Sequence, residues 1–518
     1  MSTIDWVIIA FYAIIVIAIG IFSGNKQNKT KDQQKDTEES YIKGLGLPWW
    51  AIGFSIIATS FSAASLLGGP GEGYTHGFLY LQLQFGDLIG YGLVIVLFLP
   101  FFIALNLTTA YQYLEDRFDA KTRSLGALCF LLFVIARLGG LLYAASLVVS
   151  TVTEMPLNLA ILIVGIVSIV YTVAGGMTAV VWTDVLQFAM IFVGLAVGIG
   201  TAVSGVPGGW GELWQVAAEG GKLEVVNLSW EPESIRSLPT ALFAYGILAF
   251  AVAGTNQQSV QRYVSCKNES NRSDIKLARK AILLGWFSGF LGVAATLLLG
   301  VLLFSFYSLN SGLPDNIKPD EILSYFIVNQ VPPGASGLLV AAIFAAAMSS
   351  IDSALHSLAT CITVDFYERY FQRKFNQSQS PKSQQKLEAE SVKFAQILIV
   401  VWGIFAIFSA FYVASIGESL LPFLIKYSAM FLGPLLGIFL MGVLFPRINA
   451  TGAFYGTIVA VAILAIGTEF GWFTFPGIWR SAIAAPLTVI LGLVISQLGQ
   501  KPTEQSLQGL TLWHQKEL

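Results

Sequence analysis

SIIATSFSAASLLGGPGEGY, running from Ser55 to Tyr74, lies in a hydrophobic segment long enough to cross a bilayer. It carries Thr59, Ser60, Ser62 and Ser65, followed by Gly68-Gly69-Pro70-Gly71. Glycine and proline in succession do not hold a regular helix, so the helix is expected to break at that run. Lipid tolerates unpaired backbone only where it lines a cavity or is packed inside protein. A small, hydroxyl-rich, interruptible span is therefore poor as an anchor and good as a binding site. The competing reading is a Gly/Pro-kinked packing helix, since such residues are common in membrane bundles.

Around this stretch the chain is strongly apolar: 55% of its 518 residues are hydrophobic and 12% are charged. With roughly 20 apolar residues needed per crossing, this is an all-α polytopic membrane protein. About thirteen spans are expected by that rule, near 4–22, 48–69, 78–105, 124–152, 157–175, 178–204, 239–262, 276–306, 334–364, 392–413, 418–444, 450–469 and 479–498. A net charge of −2, with no basic block interleaved with aromatics, gives no reason to expect a nucleic-acid partner. Cys129, Cys266 and Cys361 have neither metal nor redox spacing and read as ordinary thiols. The first span follows Asp5 rather than a basic region and reads as a retained helix.

Lysine and arginine set the orientation. Lys26, Lys29, Lys31, Lys35 and Lys43 crowd the first loop, and Arg117, Lys121 and Arg123 follow the third span. Arg262, Lys267, Arg272 and Lys276 follow the seventh, and Arg369, Arg373, Lys374 and Lys382 the ninth. These loops share one side, which is expected to be cytoplasmic. The acidic loops 205–238 and 307–333 lie opposite. The N-terminus is then outside and the C-terminus cytoplasmic, in a multi-pass cell-membrane protein.

The seventh span is interrupted as well, at Gly254-Thr255-Asn256-Gln257-Gln258. Spans two and seven are five apart and run in opposite directions, the layout of two inverted halves with a transport site at the midplane. In the ninth span Ala346, Ser349, Ser350 and Ser353 fall on one helical face. That face is either a small-residue packing surface or, opposite a broken helix with carbonyls to offer, a seat for an alkali cation. Asp184 in span six and Asp352 in span nine are intramembrane carboxylates, which mark ion paths or structural pairs. Arg137 in span four and Lys426 in span eleven are cations within spans. Each wants a carboxylate, from the solute or from the protein, with Asp87 one candidate for Arg137. Gln84 and Asp87 are polar within span three and could face the same cavity. His76 reads as a surface residue.

The segments YTVAGGMTAVVWTDVLQ, GTNQQSVQRYVSCK, AAAMSSIDSALHSLAT and LGPLLGIFLMGVLFP, together with the GGPGEGY ending of span two, resemble the sodium/solute symporter family from about residue 45 to 465. The resemblance implies a LeuT-type bundle of five plus five helices in inverted repeat, with extra helices at both ends. Residues 1–518 are then one transporter domain. It has a peripheral helix at 4–22, a first core repeat over 48–204 and a second over 239–444. Peripheral helices follow over 450–498, and a cytoplasmic tail over 499–518. The family's shared sodium site falls on the carbonyls of Ala58, Phe61 and Ala346 and the hydroxyls of Ser349 and Ser350. Some members hold a second sodium at the positions of Asp184 and Ser353; here Asp352 replaces one of their serines. Ser60, Ser62, Ser65, Gln84 and Arg137 match solute-contacting positions of bacterial sialic acid symporters, with Arg137 at their carboxylate-binding arginine. Asp87 and Lys426 join them as residues of the solute path.

The resemblance implies sodium-coupled import of a small organic solute, a carboxylate-bearing anion of monocarboxylate, vitamin or sialic acid type. Sodium is the coupling ion, the lipid bilayer the medium, and no obligatory protein partner is evident. A sodium/sugar or polyol symporter is the alternative, although Ala249 and Ala253 replace the Asn and aromatic of the sugar branch. A non-transporting solute sensor on the same bundle is the alternative from a different class. No zincin motif, nucleophile elbow or phosphate loop suggests an enzyme.

Overall fold

A computed structural model of the chain describes residues 1–29, 41–44, 47–267, 273–310, 312–314, 317–372, 381–416, 420–472 and 476–514, with the side chains of 24–29, 381–385, 416 and 420–429 outside the description. The described residues form helices and no strand, apart from one isolated bridge between Lys267 and Ser273. Among the described residues ten helices are long and apolar enough to cross a membrane, and a bent pair makes an eleventh. About thirteen were expected, and the difference lies at two places. The run Leu157–Ser204 contains two of the expected spans in 48 residues, about 72 Å of helix or more than twice a bilayer core. It turns at Gly176, where φ is +57° and the Cβ of any other residue would meet Tyr41. The expected span 418–444 is described in side-chain detail only from Met430 onward.

The helices that position the site are α1 (Thr3–Lys29), α2 (Trp49–Ser60), α3 (Ala63–His76), α4 (Leu83–Leu93), α5 (Ala120–Thr153), α6 (Leu157–Ser204), α7 (Gly246–Thr255), α8 (Gln257–Val264), α9 (Ile275–Leu309) and α10 (Ala335–Cys361). At the centre lies α10, nearly all of whose residues are buried. Its sequence ASGLLVAAIFAAAMSSIDSALHSLATC is rich in Ala and Ser, which lets α6, α5 and α1 pack closely around it.

The second span breaks, but not where its glycines suggested. The helix ends at Ser60 and resumes at Ala63, with a bend of 70°. Phe61 takes φ −92° and ψ 88°, and the Ser62 side chain caps the next helix. The run Gly68-Gly69-Pro70-Gly71 is helical and lies inside α3. Its glycines serve close packing: a Cβ at Gly71 would stand 2.5 Å from the Pro319 carbonyl, and one at Gly73 would stand 2.3 Å from that of Leu297. The seventh span breaks where expected, at Asn256, which sits in extended conformation and caps α8 with its side chain.

Polar groups tie distant parts together. The Asp5 carboxylate, 1% exposed, accepts from Gly334 N at 2.7 Å, Gly337 N at 2.9 Å and Ser336 Oγ at 2.8 Å, and so caps the start of α10. Glu72 of α3 pairs through both oxygens with Arg236 of the acidic 205–238 loop. Residues near the C-terminus dock on the opposite face: Tyr113 Oη donates to the Leu510 carbonyl at 2.8 Å, and the Trp513 indole donates to that of Leu444 at 2.8 Å.

Three arginines read as loop charges are in fact interior. Arg117 is 5% exposed and donates to the carbonyls of Gly442, Phe445, Pro446 and Ile448, satisfying the C-terminal end of the Leu420–Leu444 helix. Arg123, 7% exposed, pairs with Asp365 at 2.8 Å and Glu115 at 2.9 Å. Burial pushes the Glu115 carboxyl up, but hydrogen bonds from Arg369 and Arg123 outweigh it and hold Glu115 below its usual range. The third is Arg262. Each sits close enough to a span end for hydropathy to place it in a loop, while its partners come from other parts of the chain.

Asp5→Ala leaves three α10 donors without their charged acceptor. It is expected to destabilise the protein by about 2–3 kcal/mol, read as a lower melting temperature of the purified protein, with Asp5→Asn less affected.

Candidate functional site

The break after Ser60 turns the next amides away from the last carbonyls of α2, and two hydroxyls of α10 supply partners instead. Ser349 Oγ donates to the Ala58 carbonyl at 2.8 Å and lies 3.1 Å from the Ala346 carbonyl. Ser350 Oγ donates to the Thr59 carbonyl at 3.2 Å and lies 3.4 Å from that of Ala346. Ala58, Phe61, Ala346, Ser349 and Ser350 are all buried. Four of these five thus meet as one group of oxygens. Ser350 meets Thr59, a carbonyl that sequence reading left out, and among the described residues no side chain donates to the Phe61 carbonyl. A hydroxyl can rotate its proton away and present a lone pair, so this group can exchange internal hydrogen bonds for a hard cation.

About one turn along from these oxygens sits Arg262, 2% exposed within α8. Its Nε donates to Ser55 Oγ at 2.7 Å, and one terminal nitrogen donates to the Gln258 carbonyl at 2.6 Å. The other donates to Asp184 Oδ2 at 2.8 Å and to Ser353 Oγ at 2.7 Å. Ser55 also donates to Asp184. One guanidinium therefore joins α2, α6, α8 and α10. Sequence reasoning missed it because a hydropathy boundary places Arg262 at a span end; the Gln-Arg pair directly after an interrupted span was the signal available.

Asp352, fully buried, has a different set of partners. Tyr171 Oη lies 2.9 Å from its Oδ2, and Ser353 Oγ lies 3.2 Å from its Oδ1. Ser353 also meets Thr59 Oγ1 at 3.0 Å. Asp184, Asp352 and Ser353 are thus brought together, with Arg262 among them as a resident cation.

Of the expected solute residues, Ser60, Ser62 and Ser65 flank the break by their position in the chain. Ser60 is exposed, and Ser62 and Ser65 are half-buried, with their hydroxyls 3.3 Å apart. Gln84 is buried, its backbone carbonyl accepting from the Trp286 indole at 3.1 Å. Arg137 is half-buried and stacks over the Phe133 ring at 5.1 Å. Asp87 is half-buried and meets Tyr245 Oη at 3.4 Å. Arg137 and Asp87 do not pair with each other, and among the described residues neither has an ion-pair partner. The side chain of Lys426 lies outside the described residues.

Known proteins resemble this chain over nearly its whole length. The model of the "Sodium:solute symporter family" matches residues 41–460. The chain is 29% identical over 508 residues to the sodium/sialic acid symporter NanT of Aliivibrio fischeri, covering 96% of this chain and 94% of that protein. It is 31% identical over 483 residues to the sodium-dependent multivitamin transporter of Oryctolagus cuniculus, covering 91% and 71%. A solved substrate-bound, outward-open Na⁺-coupled sialic acid symporter superposes with TM-score 0.84 at 27% identity, covering 97% of this chain and 99% of that one. The chain belongs to the sodium:solute symporter family. It is a multi-pass, sodium-coupled secondary transporter.

Arg262→Gln leaves the Asp184 carboxylate buried without its cation. The expected cost is about 3–5 kcal/mol, read as a large fall in melting temperature. Combining it with Asp184→Asn is expected to restore at least half of the loss, which an unrelated packing defect would not do.

Proposed function

We propose that the protein imports a small organic solute bearing a carboxylate, coupled to sodium, by alternating access of two inverted halves, 48–204 and 239–444. Sodium is a co-transported ion here. It is held by the carbonyls of Ala58, Phe61 and Ala346 and the hydroxyls of Ser349 and Ser350. The observation that carries this reading is the Ser349 hydroxyl 2.8 Å from the Ala58 carbonyl across a break at mid-span. A cation seated there replaces hydroxyl–carbonyl hydrogen bonds with ion–oxygen contacts and ties α2 to α10. Because the ion binds one arrangement of the halves better, it shifts the population towards that arrangement. The membrane potential adds about 2.3 kcal/mol per charge per 100 mV. A second sodium at Asp184, Asp352 and Ser353 shares that cluster with the Arg262 guanidinium.

The solute settles along Ser60, Ser62, Ser65 and Gln84, with its carboxylate on Arg137. A guanidinium within a span and without a protein acid is matched by a ligand acid, and the planar fork suits two parallel hydrogen bonds. Asp87 and Lys426 belong to the same path. The relatives include sialic acid and vitamin transporters and also a sodium/glucose cotransporter, so the choice of a carboxylate rests on the Arg137 guanidinium. The N-terminus lies outside and the C-terminus in the cytoplasm of a cell-membrane protein, in keeping with the basic loops.

A thermal-shift screen of organic acids and sugars, with and without sodium, identifies the solute. With that solute in proteoliposomes, Ser349→Ala with Ser350→Ala is expected to raise the sodium needed for half-maximal uptake by about tenfold or more. An unchanged sodium dependence refutes the site. Arg137→Ala is expected to abolish uptake while sparing sodium-induced protection from proteolysis; retained uptake refutes the carboxylate assignment.

A further inference from the structure

A short piece of chain ahead of α2, residues 41–44, is gripped by side chains from distant helices. His356 Nε2 lies 3.1 Å from the Tyr41 carbonyl. A carbonyl only accepts, so the histidine donates there, and its Nδ1 is left to accept from Gln261 Nε2 at 3.3 Å. Gln261 Nε2 also donates to the Ile42 carbonyl, and Thr360 Oγ1 lies 3.3 Å from it. Ser265 Oγ lies against the Lys43 carbonyl and 2.7 Å from that of Gln261. On the other side, Tyr41 Oη donates to the Val173 carbonyl at 3.0 Å, and the Tyr41 ring fills the turn at Gly176, where a Cβ would stand 2.6 Å from it. Tyr41, Ile42, Gln261, Ser265, His356 and Thr360 are all buried.

These contacts fall where a transporter has to open. Span two leads away from the basic first loop and span seven leads into the basic loop after it. The half-helices α2 and α8 therefore lie on the same side of the membrane. There α8 packs against both α2 and α10, so these three helices wall any path from the sodium oxygens to that side. Two adjacent residues of α8 bond at two depths of that wall. Arg262 donates to Ser55 and Ser353 beside the oxygens, while Gln261 donates to Ile42 and adjoins His356, about one turn past Ser353. Buried carbonyls are costly to leave without donors, so contacts to three in succession hold the start of α2 against α8 and α10. They join the beginning of the first half to the second half, the parts that must move against each other in alternating access.

We propose that residues 41–44 are the latch of the cytoplasmic gate, held shut by Gln261, Ser265 and His356, and that their release opens the sodium site to the cytoplasm. Gln261 and His356 are positioning residues that set the balance between a closed and an open inner face. Sodium acts on the same half-helix from its other end, through the Ala58 carbonyl, and so favours the latched form. This rests on the alternating-access reading and the orientation proposed above, and adds the element that closes the inner face.

The test uses the full chain in membrane vesicles of each orientation, without solute, and a membrane-impermeant maleimide. Cys266 follows Ser265 and Cys361 follows Thr360, and both thiols are buried, so their labelling, located by peptide mass, reports opening at the latch. Cys129, buried in α5, reports unfolding. In saturating sodium the wild-type thiols are expected to label slowly from both faces. Gln261→Ala and His356→Ala are each expected to speed labelling of Cys266 and Cys361 about tenfold in inside-out vesicles, with Cys129 still protected. The proposal is overturned if neither variant changes the rate by more than about twofold. It is also overturned if the rise is confined to right-side-out vesicles, an outcome that rejects the proposed orientation as well. The solute assignment can fail without affecting this measurement. Should both variants expose Cys129, the wild type decides: replacing sodium with N-methylglucamine is expected to speed inside-out labelling about fivefold, and equal rates overturn the proposal.

Discussion

Backbone carbonyls in the middle of a membrane must find donors or cations, and the break at Phe61–Ser62 creates two carbonyls, Ala58 and Thr59, in that position. Water cannot be relied on there, so α10 must supply partners at a fixed depth. Ser349 and Ser350 do so at 2.8 and 3.2 Å. The requirement explains why α10 is the most buried span and why its facing residues are small. A bulkier α10 could not bring hydroxyls within hydrogen-bond reach of another helix's main chain. The same requirement makes the site responsive: oxygens held together by hydroxyl protons can be held together instead by a monovalent cation.

The Arg262 tie keeps that arrangement in register. Its guanidinium bonds Ser55, one turn before Ala58, and Ser353, one turn after Ser349 and Ser350. The two helices that share the carbonyl–hydroxyl contacts are therefore held by a second, charged contact a few ångströms away. A buried ion pair contributes little net stability compared with apolar packing, but it tolerates few alternative geometries. Asp5 acts similarly from the first helix, fixing the start of α10 against backbone amides.

The distribution of pairing separates structure from transport. Arg123, Arg117, Arg236 and Arg262 are committed to protein acceptors, and Asp5, Asp184 and Asp365 to protein donors. Among the described residues Arg137 and Asp87 have no ion-pair partner; Asp87 meets only the Tyr245 hydroxyl at 3.4 Å, and Arg137 stacks on Phe133.

Length, hydropathy and punctuation determined the all-helical membrane class, the approximate position of most spans and the existence of two interrupted ones, because these depend on local composition alone. The helical face of Ala346, Ser349, Ser350 and Ser353 was legible for the same reason: its period is a property of one helix. Family motifs in order gave the symporter class. Tertiary structure alone decided the rest. The break moved to Phe61–Ser62, because Gly68 to Gly71 are used to bring α3 against α9 and residue 319 rather than to unwind. Thr59 became an acceptor because α10 faces it. Arg262 left its apparent loop because Asp184, 78 residues earlier, and Ser353, 91 residues later, converge on it. Local sequence shows which groups are polar; it does not show which distant groups they meet, and inside a membrane that pairing decides whether a charge holds the fold or waits for a ligand.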